Sequence, residues 1–267
     1  MKFTGTAVIL AKASPAGKPD SKQVLFTQIL PALRGKHLYF TRETIRSSVE
    51  DAGVNIKDSS LQVYLSEAVK RGVIHDAGRG WYSGLDKPLA LTPEPIAKLT
   101  RLVRKAFPLL DFTVWSTTQL NPWMRHLLAR PVTLLHAPAD TLEALGENLR
   151  VAGWNAAINP TPSNAAKLVR PDEKMVVLRP TLSREPPGKA NQAPVEKILV
   201  DLLVETPLLA LMDESEAIAV VNAALRSGLA QVAAMQTYAK HRKLAKAILG
   251  KIEPINHLRQ NKPRGVA

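Results

Sequence analysis

The chain has 267 residues, 45% of them apolar, and carries a net charge of +13. That much apolar residue supports about two packed domains and excludes a disordered scaffold, and the absence of cysteine excludes disulfides, thiol nucleophiles and thiolate metal sites. The basic excess is +5 over residues 1–90, +5 over 91–190 and +3 over 191–267, a spread that suits phosphate-rich partners without singling out one segment.

No apolar run reaches the length of a membrane span, and Met1–Leu10 is interrupted too early for a secretory leader, so a cytoplasmic chain with no membrane partner is expected. Residues 1–20 read as a loose basic arm, with Pro15, Gly17 and Pro19 breaking any regular element. A first helix is expected from Ser21 to Leu33. A second runs from Thr41 through Arg42 to Ala52 and stops at Gly53; Asn55-Ile56-Lys57 makes the turn, and Asp58 or Ser59 caps a third helix. In that third helix Leu61, Tyr64, Leu65, Ala68 and Val69 fall on one face, and Gly72 ends it. Val73 to Tyr82 then reads as a hairpin with Arg79 between glycines at its tip.

Helix, turn, helix, hairpin is the order of a winged helix-turn-helix over residues 21–87, in which the last helix enters a major groove and the hairpin lies on the backbone. Ser59, Ser60 and Gln62 are the expected base-reading residues. Arg42, Lys57, Lys70, Arg71 and Arg79 are expected to contact phosphate. A module of this shape that only mediates protein contacts is the plainer alternative.

Residues 88–190 alternate in pattern. A helix spans Pro93 to Ala106, with Lys98, Arg101, Arg104 and Lys105 outward, followed by a strand from Leu110 to Trp115 and a helix over 118–129. A strand at Val132–Leu135, a helix at 140–152, a strand at Trp154–Ile158, a short helix at Pro162–Leu168 and a strand at Met175–Leu178 complete a small α/β domain. A Pro-rich linker or edge crossing over 180–194 leads to C-terminal helices within 191–252, expected at Val195–Val204, Glu214–Arg226 and Leu229–Leu249, and a basic tail over 253–267 follows. The fold class expected is α/β (α+β).

In those helices Val195-Glu196-Lys197-Ile198-Leu199-Val200-Asp201-Leu202 is followed by Tyr238-Ala239-Lys240-His241-Arg242. Upstream stand Val114-Trp115-Ser116-Thr117, Leu120-Asn121 and Met124-Arg125-His126. Together, and in this order, these resemble the AbiEi-type antitoxins of type IV (abortive-infection) toxin–antitoxin systems. Members of that family also begin with a winged helix-turn-helix. His241 departs from the second Arg of a Tyr-Ala-x-Arg-Arg pattern. The resemblance implies an autorepressor that binds its own promoter as double-stranded DNA and counteracts a cognate nucleotidyltransferase toxin, with Trp115, His126, Glu196, Lys197, Asp201, Tyr238 and Arg242 as the family's marked positions.

Enzyme signatures are weak. There is no G-x-S-x-G elbow, no P-loop and no G-x-G-x-x-G, so neither a catalytic site nor a cofactor is expected. Asp172-Glu173-Lys174 before a strand, with Asp111 before another, imitates a metal-dependent nuclease, which is one alternative; a regulator with a ligand-sensing or oligomerising C-terminal domain is another. His126 reads as a half-buried structural histidine, not a metal ligand. Trp115 and Trp154 read as core residues of neighbouring strands, and Lys197 with Asp201 as an ordinary surface pair at i, i+4; for Glu196, Lys197 and Asp201 a structural role, tying their helix to Tyr238 and Arg242 on a later one, is preferred over a catalytic one.

Overall fold

A computed structural model of the chain describes residues 20–126, 131–170, 172 and 174–256. The expected basic arm before Asp20, the end of the helix expected over 118–129 and the tail beyond residue 256 lie outside the described residues. The fold is mixed α/β with two small sheets.

The N-terminal part opens with one helical rod. It consists of α1 (Ser21–Val24), a π-helical stretch (Leu25–Ile29) and α2 (Leu30–Lys36). Pro31 cannot donate a backbone hydrogen bond and its ring crowds the preceding turn. The wider π spacing ahead of it absorbs that conflict, so the rod continues past the proline. Then come β1 (Tyr39–Thr41), α3 (Arg42–Asp51), α4 (Asp58–Lys70), β2 (His75–Asp76) and β3 (Trp81–Ser83), with β3 central between β1 and β2 in an antiparallel sheet. Thr41, expected as the first helical residue, instead caps α3 by accepting from the Thr44 N–H. Neither Asp58 nor Ser59 caps α4, contrary to expectation. Asp58 is already in the first turn and Lys57 precedes it without a side-chain bond. Leu61, Leu65 and Ala68 bury the inner face of α4 against Leu25, Leu30, Phe40 and Ile45. Gly72, at φ 68°, takes the left-handed conformation that lets the Val73 N–H close the helix onto the Ala68 carbonyl.

The second sheet has the order β4-β5-β7-β6, from Thr113–Ser116, Thr133–Ala137, Met175–Pro180 and Asn155–Ile158 respectively. β5, β7 and β6 run parallel and β4 runs antiparallel at the edge. Alternation along the strands sends side chains to two cores. Val114, Leu135, Val176 and Leu178 meet α5 (Glu94–Ala106) and α6 (Leu142–Val151) on one face. Trp115, Leu134 and Val177 meet α8 (Val195–Leu209) on the other, with α7 (Ala165–Leu168) beside it. Of the two readings of the Pro-rich stretch, 181–194 takes the edge crossing and not the free linker. Its Asn191 carbonyl and Ala193 N–H bond to Val114, covering the exposed edge of β4.

Around α8 gather α9 (Glu214–Ser227) and α10 (Val232–His241), followed by α11 (Lys246–Gly250) and α12 (Glu253–Asn256). The single long C-terminal helix expected from the sequence is broken after His241. Lys243 adopts φ 54° and the Leu244 N–H reaches back to the Ala239 carbonyl, a left-handed helix stop made without glycine. The helix expected over 118–129 is also different: a 3-10 turn spans Thr117–Trp123, held by a Ser116–Gln119 capping box and containing Pro122, and Met124 is extended. Trp115 and Trp154 do not sit on neighbouring strands; Trp115 is on β4 and Trp154 precedes β6, at opposite edges of the sheet and in different cores.

The two parts of the molecule share one core. Tyr39, Ala77 and Trp81 of the N-terminal sheet pack with α8, α9 and α10. The buried Tyr39 hydroxyl donates to the Gly228 carbonyl at 2.6 Å and accepts from the Ala230 N–H at 3.0 Å. The Ala233 N–H bonds the Ala77 carbonyl, and Leu89 and Leu229 pair across residues 87–89. Gly78 lies so close to α10 that a Cβ there would stand 2.7 Å from the Cβ of Ala233. The division expected between residues 87 and 88 therefore crosses packed contacts. Tyr39→Phe would orphan a buried carbonyl and N–H, and we expect it to cost about 1–3 kcal/mol in urea denaturation of the full chain. A loss below about 0.5 kcal/mol would show that the hydroxyl does not hold the two parts together.

Candidate functional site

Two assemblies of polar residues stand out: an exposed face on α4 and a charged cluster inside the C-terminal part. On α4 the side opposite the apolar stripe presents Ser59, Gln62, Val63, Ser66 and Lys70 to solvent. Val63, 62% exposed, and Ser66 are members of this face that sequence reasoning passed over; Val63 four residues after Ser59, and Ser66 four from both Gln62 and Lys70, are the signal that was available. Ser60, expected among the base-reading residues, is half-buried.

The cations expected at phosphates divide. Lys57, Lys70 and Arg79 are exposed. Arg42 is instead turned inward on its own module: its guanidinium bonds the Asp58 carbonyl at 3.1 Å and lies 3.3 Å from the Asp58 carboxylate, which Arg46 also grips. This clamp fixes the start of α3 to the start of α4. Arg71 pairs with Glu67 at 2.5 Å and lies over the Phe26 ring, so its charge is partly spent within the module. The hairpin turn that carries Arg79 is anchored beside the clamp, because the Arg42 N–H bonds the Gly80 carbonyl at 3.0 Å. Arg79, Lys57 and the first turn of α4 therefore belong to one edge of the module.

The second assembly is built by α8. This helix is buried on nearly all sides, yet Lys197, Asp201 and Glu205 recur on it at i, i+4 and i+8 and form a polar stripe. Tyr238 on α10 and Arg242 at its C-terminal cap, one turn apart, face that stripe. Lys197 Nζ lies 2.8 Å from both Asp201 Oδ2 and the Tyr238 hydroxyl, and that hydroxyl donates to Asp201 Oδ1 at 2.8 Å. Arg242 bridges Asp201 at 3.0 Å and Glu205 at 2.8 Å. From the sheet, Arg179 on β7 bonds Glu205 at 2.6 Å and the Pro160 carbonyl at 2.6 Å. From the stretch 181–194, Glu185 closes the cluster at 3.2 Å from Lys197. Three cations thus meet three carboxylates, and the charge balances.

The expectation that Lys197 and Asp201 form a surface pair is overturned, since both side chains have no exposure at all. Helical spacing of an ion pair is the same on a surface as in a core, so the i, i+4 pattern alone does not reveal depth. Glu196 stands apart from the cluster and accepts from the Gln231 N–H at 2.7 Å, tying α8 to the start of α10. Trp115 is fully buried nearby in the same core. His126 is exposed on an irregular segment after the 3-10 turn, not half-buried on a helix, and is separate from the cluster.

Sequence reasoning missed Arg179, Glu205, Glu185 and His136. His136 on β5 lies opposite Arg179 in the parallel register, on the face that meets α8. It is fully buried, neither ring nitrogen has a hydrogen-bond partner among the described residues, and its Nε2 is 3.5 Å from Asp201. Burial, reinforced by the charge of Lys197, lowers its pKa to about 3, so it is neutral in the folded protein. Burial opposes ionisation of Asp201, but Lys197 and Arg242 hold its carboxyl below the ordinary range. Burial, with the Asp201 carboxylate beside it, keeps the Tyr238 phenol protonated far above its ordinary range.

The carboxylates of the nuclease alternative do not converge. Asp111 precedes β4, whose first residue is opposite the far end of β5, whereas Asp172 precedes β7 at the near end, so the two lie at opposite ends of the sheet. Asp172 accepts from Asn155 and from the Lys174 N–H, forming a turn. Among the described residues no three His, Asp or Glu side chains gather as metal ligands, and no helix is long and apolar enough to cross a membrane.

Residues 60–257, well over half of the chain, match DUF6577, a family of unknown function, and the chain belongs to that family. The matched region starts within α4 and takes in the hairpin, the sheet and the whole charged cluster. No match was found among curated proteins.

The neutral His136 gives the cluster a pH dependence. An unfolded histidine takes up a proton below about 6.5, while the folded one resists down to about 3, so acid favours the unfolded chain. We expect stability to fall as pH drops through that window, and His136→Leu to flatten the fall measured by urea denaturation at a series of pH values. An unchanged slope in the variant would show that His136 is not the group responsible.

Proposed function

We propose that the chain is a DNA-binding autorepressor and antitoxin that acts by binding and not by catalysis. The observation that carries the DNA half is the single edge formed by the first turn of α4, Lys57 and the Arg79 turn. We read the order helical rod, β1, α3, α4, β2, β3, with β3 central, as a winged helix, in which such an edge would face a duplex. The exposed α4 face supplies what base reading requires: two hydroxyls, the Gln62 amide, which suits adenine, and Val63, an apolar contact for a thymine methyl. Lys70 and Arg79 supply phosphate contacts at its margins. In this reading Arg42 positions the helix through Asp58 and does not itself touch the backbone.

The antitoxin half rests on the resemblance to AbiEi-type proteins. Its support here is that five of the marked residues, Glu196, Lys197, Asp201, Tyr238 and Arg242, all serve to join α8 to α10. They act as a scaffold, and the surface built on it would oppose the nucleotidyltransferase toxin.

Fluorescence anisotropy with the chain's own promoter duplex tests the DNA half. Gln62→Ala should reduce discrimination by about 1–3 kcal/mol at one base pair. Arg79→Ala should weaken specific and random duplexes equally and lower the salt slope by about one. Full-strength, sequence-selective binding by both variants would remove α4 and the hairpin as the reading edge. Growth rescue of cells expressing the partner toxin tests the antitoxin half separately.

A further inference from the structure

A second cationic surface lies on the α/β part, away from α4. From Lys98 onward the exposed long side chains of α5 are Lys98, Arg101 and Lys105, at i, i+3 and i+7 on one face. At 1.5 Å of rise per residue they form a ladder about 10 Å long. None of the three is paired with a carboxylate among the described residues, unlike Arg104, which bonds Pro108, Leu110 and Asn191 and lies over the Phe112 ring. Opposite the ladder, across a shallow groove, are Ala152 and the half-buried Trp154, with Leu102 as the floor. Lys174 extends the cationic rim, its Nζ 4.0 Å from where a Cβ on Gly153 would stand. The nearby Asp172 carboxylate is already consumed by Asn155 and a backbone N–H.

We propose that this groove binds single-stranded nucleic acid, with Lys98, Arg101 and Lys105 holding the phosphates and Trp154 stacking on a base. A row of cations alone would suit any polyanion. An accessible indole across from that row favours a strand whose bases are unpaired, because a duplex keeps its bases stacked on one another and offers no free ring face. The proposal is independent of the reading of α4 and stands or falls on different residues.

The test is anisotropy of fluorescein-labelled oligo(dT) and oligo(U) decamers with the full chain, at several salt concentrations. The wild type should bind at least one of them, and binding to either sugar supports the groove. The triple variant K98E/R101E/K105E changes only exposed side chains and should keep its circular dichroism while losing at least about tenfold in affinity, with a shallower salt slope. Trp154→Leu should lose about 5- to 100-fold. Gln62→Ala on α4 should leave the decamers unaffected. The proposal is overturned if neither decamer binds, if the triple variant or Trp154→Leu binds as wild type does, or if loss tracks Gln62 instead. Loss of duplex but not decamer binding in the triple variant also overturns it, since the ladder would then serve a duplex.

Discussion

Six charges buried between a sheet and two helices impose the constraint on which the C-terminal part depends. Each of these ions would be costly to desolvate alone, several kcal/mol even after relaxation. They are tolerated because every one has an opposite partner: Asp201 is shared by Lys197 and Arg242, Glu205 by Arg179 and Arg242, and Lys197 is capped by Glu185. The pairing links elements far apart in sequence. It sets the rotation of α8 about its axis, the register of α10 against it, and the position of the stretch 181–194 over both. An apolar α8 would bury itself in many orientations, whereas this one matches its partners in only one.

A second junction carries that order to the N-terminal module. The Tyr39 hydroxyl sits between Gly228 and Ala230, at the entry to α10, where Glu196 also holds the Gln231 N–H. The hairpin uses Ala77 and Trp81 to pack on the C-terminal helices while the Arg79 turn stays exposed. One element thus serves as both a core strand and a surface tip, and the edge we propose for DNA is mounted on a packed core. This is the arrangement a reading edge needs, since loosely held contacts forfeit specificity.

What was legible in the chain follows from which patterns are unambiguous. The apolar stripe of α4, the glycine stops and the strand Met175–Leu178 are local signals, and the structure places them within a residue or two. Depth is not local. The tie from this helix to Tyr238 and Arg242 is legible in the sequence, but Lys197-x-x-x-Asp201 reads as a surface pair until α8 is seen to be enclosed, and the extension to Glu205 passes unnoticed. His136 and Arg179 joined the cluster only through strand register, which single strands of five or six residues do not announce. The missed helix break at Lys243 has the same origin, for a left-handed stop without glycine leaves little trace in composition.

The central claim is that the buried charges hold the C-terminal part together by mutual pairing and not as incidental neighbours. A double-mutant cycle between Lys197→Met and Asp201→Leu, read by urea denaturation of the full chain, tests it most directly. Each single change should cost about 3–5 kcal/mol, because it strands a buried charge. The double change should cost well below the sum, by more than about 1 kcal/mol. Single losses under about 1 kcal/mol, or losses that simply add, would contradict it.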